Sequence, residues 1–219
     1  MGVGGFLFPS SFHPIRIPRG GGCDRLCWDL NSSGKFDTRS SYHKIRNVAP
    51  STLPWKGFWK VKVPKRVAFF MWTTAHGQIL TLNNLMFRGR PLVNRCCLCC
   101  CNAESVDHLL LFCPITHSLW MSMLQLFRID WVMPGSVVEL LFSWYHWIGK
   151  HSSDIWDLVL GCLMWTIWSE RNRRSFEDEE KTVAQLLEFC QRTLFDWSRC
   201  WGFTDCSTLL DFLSSIRID

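Results

Sequence analysis

Apolar side chains recur at helical spacing along most of the chain from residue 55 onward. Between 64 and 75 they cover nearly every face, which is typical of a helix at the centre of a fold. A shorter apolar segment at 82–87 stops before Gly89, and a clear 3.6-residue stripe occupies 114–127. The pattern predicts three helices in this part of the chain.

Three further segments with helical periodicity follow in the second half of the chain. Residues 137–147 come after a Pro-Gly break, residues 155–168 are apolar on most faces, and residues 183–201 are amphipathic. The helix at 155–168 ends in the polar sequence SERNRR, whose basic side chains suit a helix C-terminus because of the helix dipole. The chain is therefore predicted to be mainly α.

The first part of the chain follows different patterns. Residues 1–22 are rich in Gly, Pro and Ser without any periodicity, which predicts a flexible tail. Within 24–42, apolar and polar positions alternate on both sides of a turn at 31–34. That alternation predicts a small N-terminal β-hairpin.

Twelve cysteines raise the question of the redox compartment. The N-terminus lacks a charged start followed by an apolar stretch, so it does not resemble a secretory signal. The longest apolar run, at 158–168, is too short to cross a bilayer. We therefore expect an intracellular protein of the nucleus or cytoplasm, neither secreted nor bound to a membrane. Its cysteines are then buried thiols or metal ligands.

Basic residues are segregated along the chain. The formal net charge is only +5, yet no acidic residue occurs between 38 and 103. Segregation of this kind indicates a surface that faces a polyanion, and a merely solvated face is the simpler alternative. The acid-free segment holds Arg39, Lys44, Arg46, Lys56, Lys60, Lys62, Lys65, Arg66, Arg88, Arg90 and Arg95.

The densest chemical motif is RCCLCCCNAESVDHLLLFCP at 95–114. Zinc takes four thiolate or imidazole ligands in a tetrahedron, and a Cys-x2-Cys turn followed by a His and a Cys supplies such a set. His108 and Cys113 form the second pair. For the first pair, spacing alone favours Cys96 with Cys99 only slightly over the alternative frame. That frame is Cys97 with Cys100; Cys101 could replace a member of either frame, and His117 is a substitute ligand.

Helix geometry limits where the second pair can lie. Residues five apart on an ideal helix are separated by about 140° around the axis. We therefore expect His108 in the first turn of a short helix and Cys113 at its end, where Pro114 redirects the chain. Ser105 is placed to cap this helix, and Asp107 suits its dipole, so Asp107 is predicted to be structural and not a ligand.

Motifs for catalysis are missing from the sequence. A polymerase needs paired aspartates for two metal ions, but no Tyr-x-Asp-Asp stretch exists. The triple glycine at 20–22 lacks the Lys-Ser/Thr and the helix of a phosphate-binding loop. The acidic cluster at 177–180 fits the start of a helix. We expect no enzyme activity from this chain alone and no small-molecule substrate.

Several motifs together resemble the zinc-binding domain that follows the reverse transcriptase in plant LINE-type (non-LTR) retrotransposons. FWKVKVPKRVAFFMW at 58–72 resembles the Trp-Lys stretch and central helix of that family. GQILTLNNL at 77–85 resembles its linking helix, and MWTIWSERNRRSFEDEE at 164–180 resembles the helical stretch that commonly follows. The resemblance covers roughly residues 24–201 and includes the hairpin segment and the cysteine loop.

After the flexible tail predicted at 1–22, the chain is expected to consist of a reverse-transcriptase-type zinc-binding domain at 23–130 and a helical C-terminal extension at 131–219. In the family, the first Cys of the pair stands twelve residues before the His. Carried over to this chain, that spacing selects a zinc site of Cys96, Cys99, His108 and Cys113.

Two functions follow as expectations. The first is a zinc-binding accessory module, derived from a retrotransposon polyprotein, that binds RNA or DNA weakly with little sequence preference and works beside a reverse transcriptase. Its predicted nucleic-acid contacts are Lys60, Lys62, Lys65, Arg66 and Arg95. The alternative is a zinc-stabilised protein-interaction or structural remnant without a role in nucleic-acid binding.

Overall fold

The structure is a computed structural model, and it describes residues 61–146 and 154–216. Every regular element in those two ranges is helical, which confirms the mainly α prediction. The predicted tail at 1–22, the predicted hairpin within 24–42 and Lys60 lie outside the described residues. All described residues belong to one unit, Thr52–Asp219.

Within the described residues 61–130 there are four helical elements. They are α1 (Lys65–Ala75), α2 (Leu82–Phe87), a π-helical turn (His108–Phe112) and α3 (Pro114–Leu126). Helix α2 begins where the Thr81 hydroxyl oxygen accepts a hydrogen bond from the Asn84 N–H at 3.3 Å. It ends just before Gly89, whose φ of +79° is in the left-handed region that glycine adopts most easily.

Four more helices follow in the part of the chain that the structure describes. They are α4 (Val137–His146), α5 (Asp154–Phe176), α6 (Val183–Cys200) and α7 (Leu209–Ile216). Helix α5 continues about two turns beyond the predicted end at residue 168, so the SERNRR sequence is helical. A reciprocal capping box between Thr182 and Gln185 begins α6. Helix α7 was not predicted from the sequence.

Helix α5 is the central element, because it packs against α1, α3, α6 and the π-helical turn. Gly161 allows α1 to approach closely: a Cβ added at this position would lie only 3.1–3.3 Å from Val63, Met71 and Val67. Helices on both sides of residue 130 therefore share one hydrophobic core. The predicted limits of the domains stay predictions.

Tryptophan supplies much of the packing between α3, α4 and α5. The indole rings of Trp144 and Trp156 stack with centroids 4.5 Å apart, and Trp120 meets Trp144 edge-on at 6.0 Å. All three side chains are buried. The abundance of Trp in the sequence thus reflects buried aromatic area in this part of the fold.

Candidate metal centre

Cys96, Cys99, His108 and Cys113 come together in the structure. One ligand atom from each of them lies within 4.8 Å of all the others, and the Cys99 Sγ is 3.3 Å from the His108 Nε2. A tetrahedron with Zn–S bonds of about 2.3 Å has edges of roughly 3.8 Å, so the four atoms need to close in only slightly. Three thiols and one imidazole are donors that zinc prefers. Geometry and donor chemistry both fit a structural zinc ion.

A tight turn holds the first pair of ligands. The Cys96 N–H donates to the Asn102 carbonyl at 2.7 Å, and the Cys100 N–H donates back to the Cys96 carbonyl at 2.8 Å. Backbone N–H groups of Leu98 and Cys99 also donate to the Cys96 sulfur. Leu98 is buried and anchors the turn in the core. The turn is closed by a positive φ of 55° at Cys100.

The second pair is brought together by a π-helical turn. Here the Cys113 N–H donates to the His108 carbonyl at 2.7 Å, so residues five apart are joined by one hydrogen bond. This wider turn places both side chains on one face, whereas an ideal helix would separate them. His108 begins the turn, as expected, and its N–H donates to the Ser105 Oγ at 3.1 Å. Single π-helical turns of this kind often occur at functional sites.

Asp107 lies outside the cluster and contacts a different helix from the one whose dipole it was expected to suit. Its carboxylate oxygen accepts a hydrogen bond from the Val137 N–H at 2.8 Å, across a sequence separation of thirty residues. This bond satisfies a backbone donor that would otherwise be unpaired at the start of α4. Asp107 therefore ties the π-helical turn to the next helix.

The alternative ligands lie elsewhere. The Cys97 Sγ is 3.7 Å from the Arg171 carbonyl and from the Ser175 hydroxyl, which is away from the cluster. Cys100, Cys101 and His117 are exposed. Among the residues that the structure describes, no second group of three or more potential ligands comes together. The frame of Cys97 with Cys100 is therefore not assembled.

The ligands influence one another's protonation. A hydrogen bond to Cys113 and burial raise the pKa of the Cys96 thiol, whereas the same hydrogen bond lowers the pKa of Cys113. Burial lowers the pKa of His108, so its imidazole is neutral near pH 7. Neutral imidazole is the form that binds a metal ion.

A buried ion pair beside the cluster was not anticipated from the sequence. Glu104 is fully buried, and its Oε1 accepts hydrogen bonds from the Arg171 Nη2 at 2.7 Å and Nε at 3.1 Å, and from the Leu82 N–H at 2.9 Å. The pair joins α5 to the metal loop (residues 95–114), at a point between the two pairs of candidate ligands. In the sequence, Glu104 stands out only as the first acidic residue after the acid-free segment. Nothing in the sequence indicates that its partner lies 67 residues away.

The predicted nucleic-acid contacts lie at two places. Lys62, Lys65 and Arg66 are exposed around the start of α1, where Lys62 lies over the Phe203 ring at 4.7 Å and Arg66 over the Trp165 ring at 5.4 Å. Arg95 is exposed at the metal loop, and its Nε donates to the Cys100 carbonyl at 2.6 Å. No described helix is long and apolar enough to cross a membrane.

The cluster lies in a segment that matches a known family. A family model described as zinc-binding in reverse transcriptase matches residues 36–120, a segment that includes the complete cluster. This match confirms the resemblance to the zinc-binding domain of retrotransposon reverse transcriptases, and it confirms zinc as the cofactor that the cluster suits.

A plant protein is similar over a longer stretch. It comes from Arabidopsis thaliana, is named Putative ribonuclease H protein, and is 28% identical over 172 residues that cover 74% of this chain. The chain spans 27% of the length of that relative. No solved structure matches the chain.

Proposed function

We propose that the chain is an accessory module in which Cys96, Cys99, His108 and Cys113 bind one structural zinc ion, and that the module binds nucleic acid. The assembled Cys3His cluster inside the matched segment carries this proposal. A site closed by four protein ligands leaves no open position for a substrate, which is the arrangement of structural zinc.

Charge supports the nucleic-acid part of the proposal. Lys62, Lys65 and Arg66 project from the start of α1 in a segment without acidic residues, and Phe69 beside them is 58% exposed. Lysine and arginine neutralise phosphates, and an exposed ring can stack on an unpaired base. Such contacts give weak binding to RNA or DNA with little sequence preference. The relative named as a ribonuclease H protein is consistent with work on nucleic acid.

Catalysis is not part of the proposed role. Metal-dependent polymerases and nucleases need exposed carboxylates that share two ions. In the described residues, Glu104 and Glu170 are buried and paired with arginines, and Glu177, Glu179 and Glu180 form ion pairs with Arg173 and Arg174. The chain would therefore act with a separate catalytic domain such as a reverse transcriptase, inside the cell.

A salt titration tests the proposal. The zinc-loaded chain is bound to single-stranded RNA and DNA oligonucleotides of mixed sequence at a series of salt concentrations. Removing the basic side chain that binds one phosphate should lower the slope of log affinity against log salt by about 0.7. Lys65→Ala with Arg66→Ala removes two such side chains, so together they should reduce the slope by roughly one to two.

Arg192 and Arg199 provide the matched control. Both are exposed, and Arg199 lies over the Phe195 ring at 5.6 Å much as Arg66 lies over Trp165. Arg192→Ala with Arg199→Ala removes the same charge outside the acid-free segment, so it should leave the slope nearly unchanged. Absence of binding at low salt by folded, zinc-loaded protein would reject the nucleic-acid role.

An exposed apolar strip favours a second candidate function, binding to a protein. Phe87 is 75% exposed and Val93 85% exposed, and Met86 and Leu92 beside them are also exposed. Clustered apolar side chains at a surface often mark protein interfaces. If Phe87→Ser with Val93→Ser abolishes capture of a co-expressed reverse transcriptase but leaves nucleic-acid binding intact, the interaction role holds as well.

A further inference from the structure

The last two turns of α5 lie against the Cys96–Cys99 turn. The Arg174 Nη1 donates to the Leu98 carbonyl at 3.1 Å and lies 3.5 Å from the Cys97 carbonyl. The Arg174 side chain is only 7% exposed. A residue more than fifty positions beyond the matched segment 36–120 thus touches the backbone of the candidate zinc site.

The two carbonyls belong to peptide groups that also face a ligand. The peptide of the Leu98 carbonyl includes the Cys99 N–H, and the peptide of the Cys97 carbonyl includes the Leu98 N–H. Both of these N–H groups donate to the Cys96 sulfur. Each peptide is therefore placed between the Arg174 guanidinium and the Cys96 sulfur. Hydrogen bonds in such a chain polarise and strengthen one another.

The guanidinium of Arg174 is itself held in place. Its Nε donates to the Glu170 Oε1 at 2.9 Å, and its Nη2 donates to the Lys181 carbonyl at 3.1 Å. Its Nη1, besides contacting the Leu98 carbonyl, forms an ion pair with the Glu180 Oε1 at 2.9 Å. Glu170 is buried and also accepts from the Lys181 N–H at 2.8 Å. The Arg174 side chain is therefore fixed by α5 and by the connection to α6, and its position does not depend on the metal loop alone.

We propose that Arg174 is a positioning residue of the zinc site, acting through two peptide groups on the Cys96 thiolate, so that the zinc-binding unit includes α5. This inference rests on the proposed zinc site. Hydrogen bonds to a thiolate hold its orientation and retain the metal, as outer partners of ligands do in other metal sites.

The adjacent Arg173 is a matched control for Arg174. It lies on the same helix, and its ion pairs are with Glu170, Glu177 and Glu179. The full chain is prepared as wild type and with R174Q, R174K, R173Q and R173K. Zinc affinity is measured by competition with a chelator. The charge-transfer absorption of the Co²⁺-loaded protein reports on the cobalt–thiolate bonds directly.

We expect R174Q to weaken zinc binding about ten- to a hundredfold and to change the cobalt–thiolate band. R174K keeps the charge but cannot reproduce the planar set of donors, so its loss should be smaller, at about three- to tenfold. R173Q and R173K should match wild type in both measurements. These results would support the proposal.

Wild-type affinity and an unchanged cobalt band in R174Q would overturn the proposal, even if that variant melted at a lower temperature. If R174Q does not fold, the same outcome in R174K overturns it. The failure of the zinc site itself would differ, because the wild-type chain would then bind no stoichiometric zinc and show no cobalt–thiolate band.

Discussion

The four candidate ligands depend on different local supports. Cys96 is buried and receives backbone hydrogen bonds, His108 is positioned by Ser105, and Cys99 lies at the edge of the cluster. The neighbouring Cys101 is exposed, its Sγ lies 3.0 Å from the Cys99 carbonyl, and it is not part of the cluster. Single substitutions at these positions should therefore have very different effects on zinc binding.

We predict that Cys99→Ser sharply weakens zinc binding and that Cys101→Ser is nearly silent. Structural zinc binds with about 10–16 kcal/mol, so each of four ligands contributes roughly 3 kcal/mol, which is on the order of a hundredfold in affinity. Metal analysis and chelator competition on reduced protein measure the two variants side by side. A larger loss in Cys101→Ser would mean that a different set of cysteines binds the metal.

Acid should release the metal, and the direction follows from the ligand pKa values. The raised pKa of Cys96 means that this thiol is protonated at neutral pH without metal, so zinc binding must displace its proton. His108 has a lowered pKa and is already neutral. The apparent zinc affinity should therefore rise by about tenfold or more per pH unit between about pH 6 and 8.

Calorimetry in buffers with different ionisation enthalpies counts the protons released by zinc. Near neutral pH, one or more protons per zinc ion are expected, with Cys96 as one source. An affinity that does not change with pH, together with no proton release, would show that Cys96 is not a ligand in its thiolate form.

At the scale of elements, the π-helical turn decides whether His108 and Cys113 can meet. Its hydrogen bond from the Cys113 N–H to the His108 carbonyl spans five residues. The four side chains of His108 to Leu111 are buried, whereas Phe112 is 47% exposed. The length of this turn can therefore be changed at Phe112 without removing a buried side chain.

We predict that insertion of one alanine after Phe112 abolishes zinc binding, whereas Phe112→Ala leaves it within about twofold. The insertion lengthens the spacing between His108 and Cys113 by one residue and turns the cysteine away by about 100°. The substitution changes the exposed side chain but keeps the spacing. Equal zinc binding by the two variants would show that the π-helical geometry is unimportant for the site.

Local patterns in the sequence predicted most of the helices and indicated the candidate ligands. The helix stripes are short-range features, so α1 to α6 could be predicted from them. The Cys-x2-Cys spacing indicated a zinc site but left two frames open, and the choice of Cys96 with Cys99 came from the family resemblance. The widening at His108–Phe112 could not be predicted, because the expectation of about 140° assumes an ideal α-helix. Helix α7 was not predicted, although Leu209 to Ile216 contains a short apolar pattern near the C-terminus.

Contacts between residues distant in sequence could not be predicted either. The SERNRR sequence indicates only a favourable helix end, yet Arg171 and Arg174 contact residues 97–104 from α5, and Glu170 holds Arg174 in place. A single sequence gives the charge of these residues but not their partners, because the pairing depends on how α5 packs. The buried partner of Glu104 could be identified only once that packing was known.

For the whole molecule, the important question is whether the predicted zinc domain at 23–130 can fold stably without the helices that follow it. Val67 and Met71 of α1 pack at Gly161 of α5, and Glu104 is neutralised by Arg171. Removing α5 would expose this face of α1 and leave the buried carboxylate without its partner. Breaking a buried ion pair costs about 3–5 kcal/mol, a large part of the roughly 5–15 kcal/mol that stabilises a whole domain.

We therefore predict that a chain ending at residue 130 does not fold stably and binds zinc at least about tenfold more weakly than the full chain. Two losses lower the stability of this shortened chain: apolar side chains of α1 become exposed, and Glu104 has no partner. Each loss is a large part of the free energy of unfolding expected for a domain. Circular dichroism and chelator competition, run beside the full chain under reducing conditions, measure both effects. If the fragment is helical and binds one zinc ion with the affinity of the full chain, the matched segment folds on its own.

Glu104→Gln in that fragment separates the two causes. If the unpaired charge dominates, the substitution should recover part of the stability. If the missing core packing dominates, the substitution should recover none.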